Sequence, residues 1–255
     1  MLALERRNLI LEKLQEEKRV VVSELSQLYG VSEETIRRDL DKLDKDGLAV
    51  KSYGGAVINE NTSIDMPFNV RKKKNVTGKQ KMADIIADLI HDGDHIAVDA
   101  STTGVFIAKA IKNKERITIV TNSIEVIIEL SDVSDWNIIS SGGKLKEGYL
   151  ALTGPKAIEG LSAYNVEMAI ISGKGFDFER GLTDSSEEFS QPKQMMFRSA
   201  KKKIVAVDKT KFNKIAFSKI VDFSDMDIVV TDEKPDEKWL NMFKEKGIKC
   251  LYPTD

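Results

Sequence analysis

Apolar and polar positions along the chain follow two regimes, and the change between them divides it. Over residues 1–58 the period is mostly helical with short β-like interruptions. In ERRNLILEKLQEE, Leu9, Ile10, Lys13 and Leu14 recur at helical spacing. A short β-like run, Val20–Val22, leads to Ser23, which reads as an N-cap for a helix over Glu24–Tyr29 that Gly30 ends. VSEETIRRDLDKLDKDG then predicts a second helix, with Ser32 as N-cap, Glu33 and Glu34 in the favourable first turn and Gly47 as terminator. Two short β-like runs flank Tyr53-Gly54-Gly55, a hairpin signal.

Residues 59–77 are polar, contain a proline and end in the basic run Arg71–Lys74, the composition of a linker. From Gly78 onward apolar runs alternate with helical patterns. The amphipathic stretch GKQKMADIIADLI is followed by IAVDASTTG, ITIVTNS, NIISSGG, MAIISGKG, KKIVAVDKTKF and DIVVTDEKP. Continuous apolar runs suit strands covered on both faces, so the expected class is α/β with a mainly parallel sheet. The expected domains are 1–58, a linker over 59–77, and 78–255.

Chemistry enters first on the second helix. Ile36, Leu40 and Leu43 fall on one stripe and must face a core. Thr35, Arg38 and Lys42 share the opposite side, with Arg37 on the flank near Glu33. A helix, a tight Gly30 turn, a capped helix and a hairpin make a winged helix-turn-helix, whose second helix enters the major groove of double-stranded DNA. There Thr35, Arg37, Arg38 and Lys42 are candidates for base-edge contact, arginine being suited to bidentate bonds with guanine. Ser32, Lys51 and Tyr53 are candidates for phosphate contact. The bland alternative is a small helical domain with solvated charges.

A second candidate site follows from the parallel sheet, because ligands bind outside the carboxyl ends of such strands. Asp99, Ser101, Thr102, Thr103 and Gly104 lie at one strand end, Thr121, Asn122 and Ser123 at another. Gly142 and Gly143 lie at a third, and Asp208 to Lys211 at a fourth. Hydroxyls and N–H groups at a helix start accept an anion, phosphate above all; Lys211 would add charge and Asp99 would accept from a sugar hydroxyl. Singly, each loop reads as an ordinary N-cap, and only the recurrence carries weight. None has Walker A spacing.

Composition narrows this further. The net charge is −2, so no global basic field announces nucleic acid; residues 1–58 hold 10 Lys/Arg against 11 Asp/Glu. Cys250 is the single cysteine, which excludes an internal disulfide and reads as structural in a last strand, GIKCLYP. His91 and His95 make a weak metal site, and no metal or cofactor is expected. No apolar run reaches membrane-span length, and the start reads as helix rather than signal peptide, which gives a cytoplasmic expectation.

VSELSQLYGVSEETIRRDLDKLDKDGLAVKSYGGAV resembles the N-terminal signature of the DeoR family of bacterial transcriptional regulators. DASTT, TIVTNS, SGGKL, GFDFERGLT and DKTKF are similar to that family's sensor domain, so the likeness covers nearly the whole chain. The resemblance places the DNA-reading helix on Ser32–Leu43. It also implies a sensor related in fold to ribose-5-phosphate isomerases and CoA transferases, with a phosphorylated sugar as effector. Many relatives have Gly where Ser101 stands here. Lys79, Lys193 and Met196 also match positions common in the family. The expected protein is a regulator, most often a repressor in this family, that acts as a homo-oligomer (dimer or tetramer), since one helix reads too few base pairs. The alternatives are a sugar-phosphate isomerase-like enzyme with an accessory DNA-binding domain, with Asp177, Asp184, Glu187 or Glu188 as base, and an architectural DNA-binding protein with no effector.

Overall fold

The first helix, α1 (Ala3–Glu17), buries Ile10, Leu11 and Leu14 in one core with the stripe Ile36, Leu40 and Leu43 of α3 (Glu33–Lys45), as the helical period predicts. Between them lie β1 (Arg19–Val21) and α2 (Val22–Tyr29), and after α3 come β2 (Ala49–Ser52) and β3 (Gly55–Ile58). These strands form an antiparallel sheet in the order β1-β3-β2. In this computed structural model residues 1–59 and 66–254 are described, and they divide into two units, Met1–Lys74 and Asn75–Asp255.

Three local features of the first unit differ from the sequence pattern. Ser23 is not an N-cap: α2 starts at Val22, directly from the strand. The Val22 N–H donates to the Gly54 carbonyl of the wing at 2.8 Å, so the helix start is held by the wing turn and not by a side-chain cap. Next, Asp39 sits inside the apolar stripe of α3 and is buried, ion-paired at 2.5 Å with buried Arg6 of α1. Finally, the segment 59–77 carries helix at its far end. Phe68–Lys73 forms α4, with Phe68 and Val70 buried, and the next helix is capped by the Asn75 side chain. Residues 60–65 of that segment lie outside the described residues.

In the second unit, α5 (Val76–Ala87) precedes β4 (His95–Val98), α6 (Thr102–Ala110), β5 (Thr118–Thr121), α7 (Ile124–Leu130) and β6 (Asn137–Ser140). A hairpin of β7 (Lys144–Lys146) and β8 (Ala151–Thr153), then α8 (Pro155–Ser162), leads to β9 (Val166–Ile171). After β10 (Gly175–Asp177), β11 (Gly181–Asp184) and α9 (Glu187–Arg198) come β12 (Ala200–Ala206) and β13 (Ser218–Val221). The unit ends with β14 (Ile228–Val230), α10 (Glu237–Glu245) and β15 (Lys249–Leu251). Seven strands make one sheet in the order β15-β14-β12-β9-β4-β5-β6, every pair parallel. The direction of winding reverses between β4 and β9, and this switch point is where the fold opens a crevice at the carboxyl ends of its strands.

One face of the sheet packs on a core that includes Phe176, Phe197, Phe223, Trp239 and Phe243, with Phe176 and Trp239 stacked at 5.0 Å between centroids. The small antiparallel sheet β10-β11-β13 supplies part of that core through Phe176, Leu182 and Ile220. Among the described residues no helix is long and apolar enough to cross a membrane.

Candidate functional site

Two places carry the candidate chemistry. On α3, Ser32 caps the helix by accepting the Thr35 N–H at 3.2 Å, and its hydroxyl lies 2.9 Å from that of Thr35. Arg37, Arg38 and Lys42 are all exposed, and each is held by an acid on its own helix. Arg37 pairs with Glu33 at 2.6 Å, Arg38 with Glu34 at 3.2 Å, and Lys42 with Asp46 at 2.9 Å, the last a cap residue beyond the helix end. Lys51 of β2 pairs with Asp41, whose carboxyl is held below its ordinary value chiefly by that bond.

Tyr53 stands at the wing tip, fully exposed. The wing turn needs both of its glycines, for different reasons. Gly54 has φ +79°. A Cβ on Gly55 would lie 2.0 Å from the Val20 carbonyl oxygen, so β1 and β3 approach this closely only because Gly55 has no side chain. All seven sequence-derived DNA residues therefore lie on α3, at its cap, or on the wing.

The second place is the crest of the seven-stranded sheet. Asp99, at the end of β4, is 1% exposed and turns both oxygens inward. One accepts the Ser101 N–H at 3.2 Å; the other accepts the Ser172 N–H, beyond β9, at 3.1 Å and lies 3.3 Å from the Lys193 ammonium. Lys193 in turn lies 2.5 Å from Asp184 and donates to the Ser172 carbonyl at 2.8 Å. Asp99, Lys193 and Asp184 thus clamp β4, β9, β11 and α9 together at the switch point. Burial opposes charge on Asp184, yet Lys193 and the Ser185 N–H hold its carboxyl below the ordinary range. Burial likewise opposes the charge of Lys193, and Asp184 and Asp99 outweigh it and raise its pKa.

Above the clamp the loop opens into α6. Ser101 is half-buried and accepts the Gly104 N–H at 2.9 Å as N-cap, while Thr102 and Thr103 form the buried first turn. A Cβ on Gly104 would meet the Asp99 carbonyl at 2.7 Å, so the helix start is pressed onto the strand end. On neighbouring β5, Thr121 spends its hydroxyl on the Val98 carbonyl at 2.6 Å, and Ser123 caps α7 through the Val126 N–H. Both are framework groups. Asn122 is different: it is 5% exposed, its amide donates to the Leu152 carbonyl at 3.0 Å, and its Oδ1 has no hydrogen-bond partner.

Gly142 and Gly143, beyond β6, are exposed and adopt φ +65° and +106°. Lys211 lies in the short turn after β12 that Asp208 caps by accepting from Thr210. Strands in a sheet are about 4.8 Å apart, so β6 and β12, four gaps apart in the order, end about 19 Å from each other. Hence Ser101, Asn122 and the turn after β9 share the centre of the crest, with Lys211 on one side and the Gly142-Gly143 turn on the other.

Sequence reasoning missed Ser172, Lys174 and the partners of Lys193. Lys174 follows β9 within two residues of Ser172. Burial, and like charge on Lys193 and Lys211, lower its pKa to about 8, with Asp184 opposing. A signal was present for Lys193: it sits on the same helical face as Phe189, Met196 and Phe197, where an unpaired lysine would not be tolerated.

Two family models divide the chain as its architecture does. Residues 6–62 match the DeoR-like helix-turn-helix domain, and residues 74–233 match the DeoR C terminal sensor domain. The chain belongs to the DeoR family. It is 36% identical to the HTH-type transcriptional regulator YulB of Bacillus subtilis strain 168, over 98% of this chain and 96% of that protein. It is 33% identical to the HTH-type transcriptional repressor GlcR of the same organism, over 95% and 93%. The aga operon transcriptional repressor assigned in Escherichia coli O157:H7 is 30% identical, over 97% and 93%. Among solved structures, ribose 5-phosphate isomerase A from Methanocaldococcus jannaschii is similar over 52% of this chain and 53% of that one, at 16% identity and a TM-score of 0.39.

This DeoR-family chain offers poor general bases for isomerisation. Asp184 is committed to Lys193. Glu188 accepts from Lys146 at 2.7 Å and Thr153 at 2.9 Å, and Lys146 first, then Thr153, hold its carboxyl below the usual range. Asp177 accepts the N–H groups of Glu179 and Arg180 in a turn, and Glu187 is exposed. An effective base has a pKa raised toward the working pH, and the shifts of Asp184 and Glu188 run the other way. Cys250 sits on β15, where burial pushes its thiol up to about 12, far from a thiolate nucleophile. Among the described residues no three His, Cys, Asp or Glu side chains are grouped as a metal site would require.

Proposed function

We propose that this DeoR-family protein is a sequence-specific repressor of a sugar-metabolism operon, released or tightened on its operator by a phosphorylated sugar bound at the crest of the sheet. Arg37, Arg38, Thr35 and Lys42 read base edges, while Ser32, Lys51 and Tyr53 hold phosphates. At the crest, the N-terminal turn of α6, capped by Ser101, receives the phosphate, with Lys211 adding charge, and Asn122 meets a sugar hydroxyl. The observation that carries this is the unmatched Oδ1 of Asn122. A buried acceptor without a partner costs about 1–3 kcal/mol, and a ligand hydroxyl would recover it. Asp99 is given a framework role, because both its oxygens are already engaged.

The names of the relatives support the repressor reading, two of them being called repressors and one of these being assigned to the aga operon. Two copies of the chain would present two reading helices to paired half-sites. No catalytic residue or cofactor belongs to this reading, and a cytoplasmic location goes with it. The test is selection of genomic DNA fragments by the purified protein at fixed salt, repeated with a panel of sugar phosphates. A few discrete sites should be recovered, with one compound changing their occupancy. Arg38→Ala should abolish that recovery and leave the fold intact. Recovery of no discrete site by the unaltered protein would end the regulator reading.

A further inference from the structure

The reading face is unusual in carrying its own counter-charges. Residues 1–58 have one more acid than base, so no broad positive field draws this unit to DNA. Each candidate DNA-contacting cation has a carboxylate partner, and all four partners lie on α3 or at its end. The atoms used also matter. Glu34 takes Arg38 through Nε, at 3.2 Å, which leaves the two terminal nitrogens of the guanidinium pointing away as a fork. Glu33 takes Arg37 through a terminal nitrogen at 2.6 Å.

We propose that Glu33 and Glu34 are specificity determinants: they suppress binding to DNA of arbitrary sequence and hold Arg38 ready for a base edge. This rests on the reading of α3 as the groove helix. Binding to arbitrary sequence is electrostatic, a matter of cations replacing counterions along the phosphates. On this helix a phosphate must displace a carboxylate that already neutralises the cation, and must then tolerate that carboxylate nearby. A bidentate bond to guanine O6 and N7 needs only the terminal fork of an arginine. Arg38 can make that bond while Nε stays on Glu34, so the operator complex keeps the pair that a phosphate contact breaks. The acids therefore penalise the wrong complex more than the right one, which is how discrimination is built against competing sites.

The experiment compares wild type with a Glu33→Gln/Glu34→Gln variant of the full chain. Glutamine keeps an acceptor oxygen for the arginine and removes the charge. Binding is measured at one fixed salt concentration to two labelled duplexes of equal length, one of mixed sequence and one carrying a site recovered from genomic fragments. The mixed-sequence duplex should bind at least fivefold tighter to the variant, and the site-bearing duplex should change less than twofold. A control variant, Glu5→Gln/Glu16→Gln, makes the same change in net charge on exposed positions of α1 and should move neither affinity more than twofold. An unchanged mixed-sequence affinity would overturn the proposal. So would an equal gain on both duplexes, or a control that gains as much. Arg38→Ala separates the underlying reading: if it leaves the site-bearing duplex bound as before, α3 is not the reader. If it abolishes that binding and the Gln variant still discriminates like wild type, only the role of the acids falls.

Discussion

The Asn75 side-chain amide donates to Asp232 at 2.8 Å, joining the first residue of the second unit to the end of β14. The other oxygen of Asp232 accepts the Lys209 N–H at 2.8 Å, at the start of the turn that carries Lys211. The same Asn75 caps α5 through the Gly78 N–H and holds φ +45°. A change at the crest turn therefore has a short bonded route to the point where the two units meet in the chain.

That route predicts a separation of functions. Asn75→Gly keeps the positive φ without strain and removes both side-chain bonds. Loss of the cap should cost about 1 kcal/mol of stability. Operator binding and effector binding, each measured alone, should remain within about threefold of wild type, on the scale where 1.4 kcal/mol is tenfold. The factor by which effector changes operator affinity should fall toward one. A full effector response in this variant would show that the coupling runs elsewhere.

Lys193→Met should destabilise the protein by about 3–5 kcal/mol, because it leaves Asp99 and Asp184 buried without their cation. The pH dependence should also change sign. In wild type, Asp184 has a folded pKa below its unfolded value of about 3.9. Its stabilisation is complete above the unfolded value and is lost as pH falls through the folded one. In the variant Asp184 loses its cation and its folded value rises, so stability should increase as pH falls from neutral toward about 5. Urea unfolding at several pH values measures both slopes, and parallel slopes would refute the clamp.

At pH 8 the Lys174 amine is close to its pKa of about 8. A dianionic phosphate bound at the crest near Lys174 and Lys211 would raise that pKa, and binding would take up about half a proton at pH 8 and close to none at pH 6.5. Calorimetry of effector binding in two buffers of different ionisation enthalpy reads this directly. Lys174→Met should abolish the uptake. Equal heats in both buffers at pH 8 would place the anion away from this turn.

The two wing glycines should fail differently. Gly54→Ala meets open space and pays only for its left-handed backbone, about 1–2 kcal/mol. Gly55→Ala drives a methyl group into the Val20 carbonyl, so β1 must part from β3, at about 1–3 kcal/mol plus the wing geometry. Thermal unfolding should rank the two similarly, while operator binding below the transition should survive Gly54→Ala and be lost in Gly55→Ala. Intact binding in Gly55→Ala would mean that the β1 and β3 approach is dispensable.

Much of this was legible from the residues alone. All seven strands of the parallel sheet were visible as apolar runs, since burial of the central strands on both faces leaves no alternation to confuse them and the edge strands β6 and β15 keep apolar residues too. The reading helix was visible from its cap and its period. The small sheets of β7 to β8 and β10, β11 and β13 were not, because short segments such as KLK, GFD, GLTD and SKIV mix polar with apolar residues and form no continuous apolar run. The buried pairing of Asp39 and the partners of Lys193 were missed for another reason. A charge within an apolar stripe signals a buried partner, but the partner, Arg6 in one case and Asp99 with Asp184 in the other, is remote in the chain. Asp99 was read as a ligand group from its place at a strand end, and only the tertiary contacts show where its oxygens point.

The Asp99–Lys193–Asp184 clamp lies beneath the crest loops, and the side chains on those loops take little part in it. Ser101, Lys174, Lys211 and the Gly142-Gly143 turn can therefore drift in sequence without loosening the junction of strands that supports them. A scaffold of this kind lets duplicated copies diverge toward new metabolites by exchanging a few loop residues, while the charges that hold the frame stay as they are.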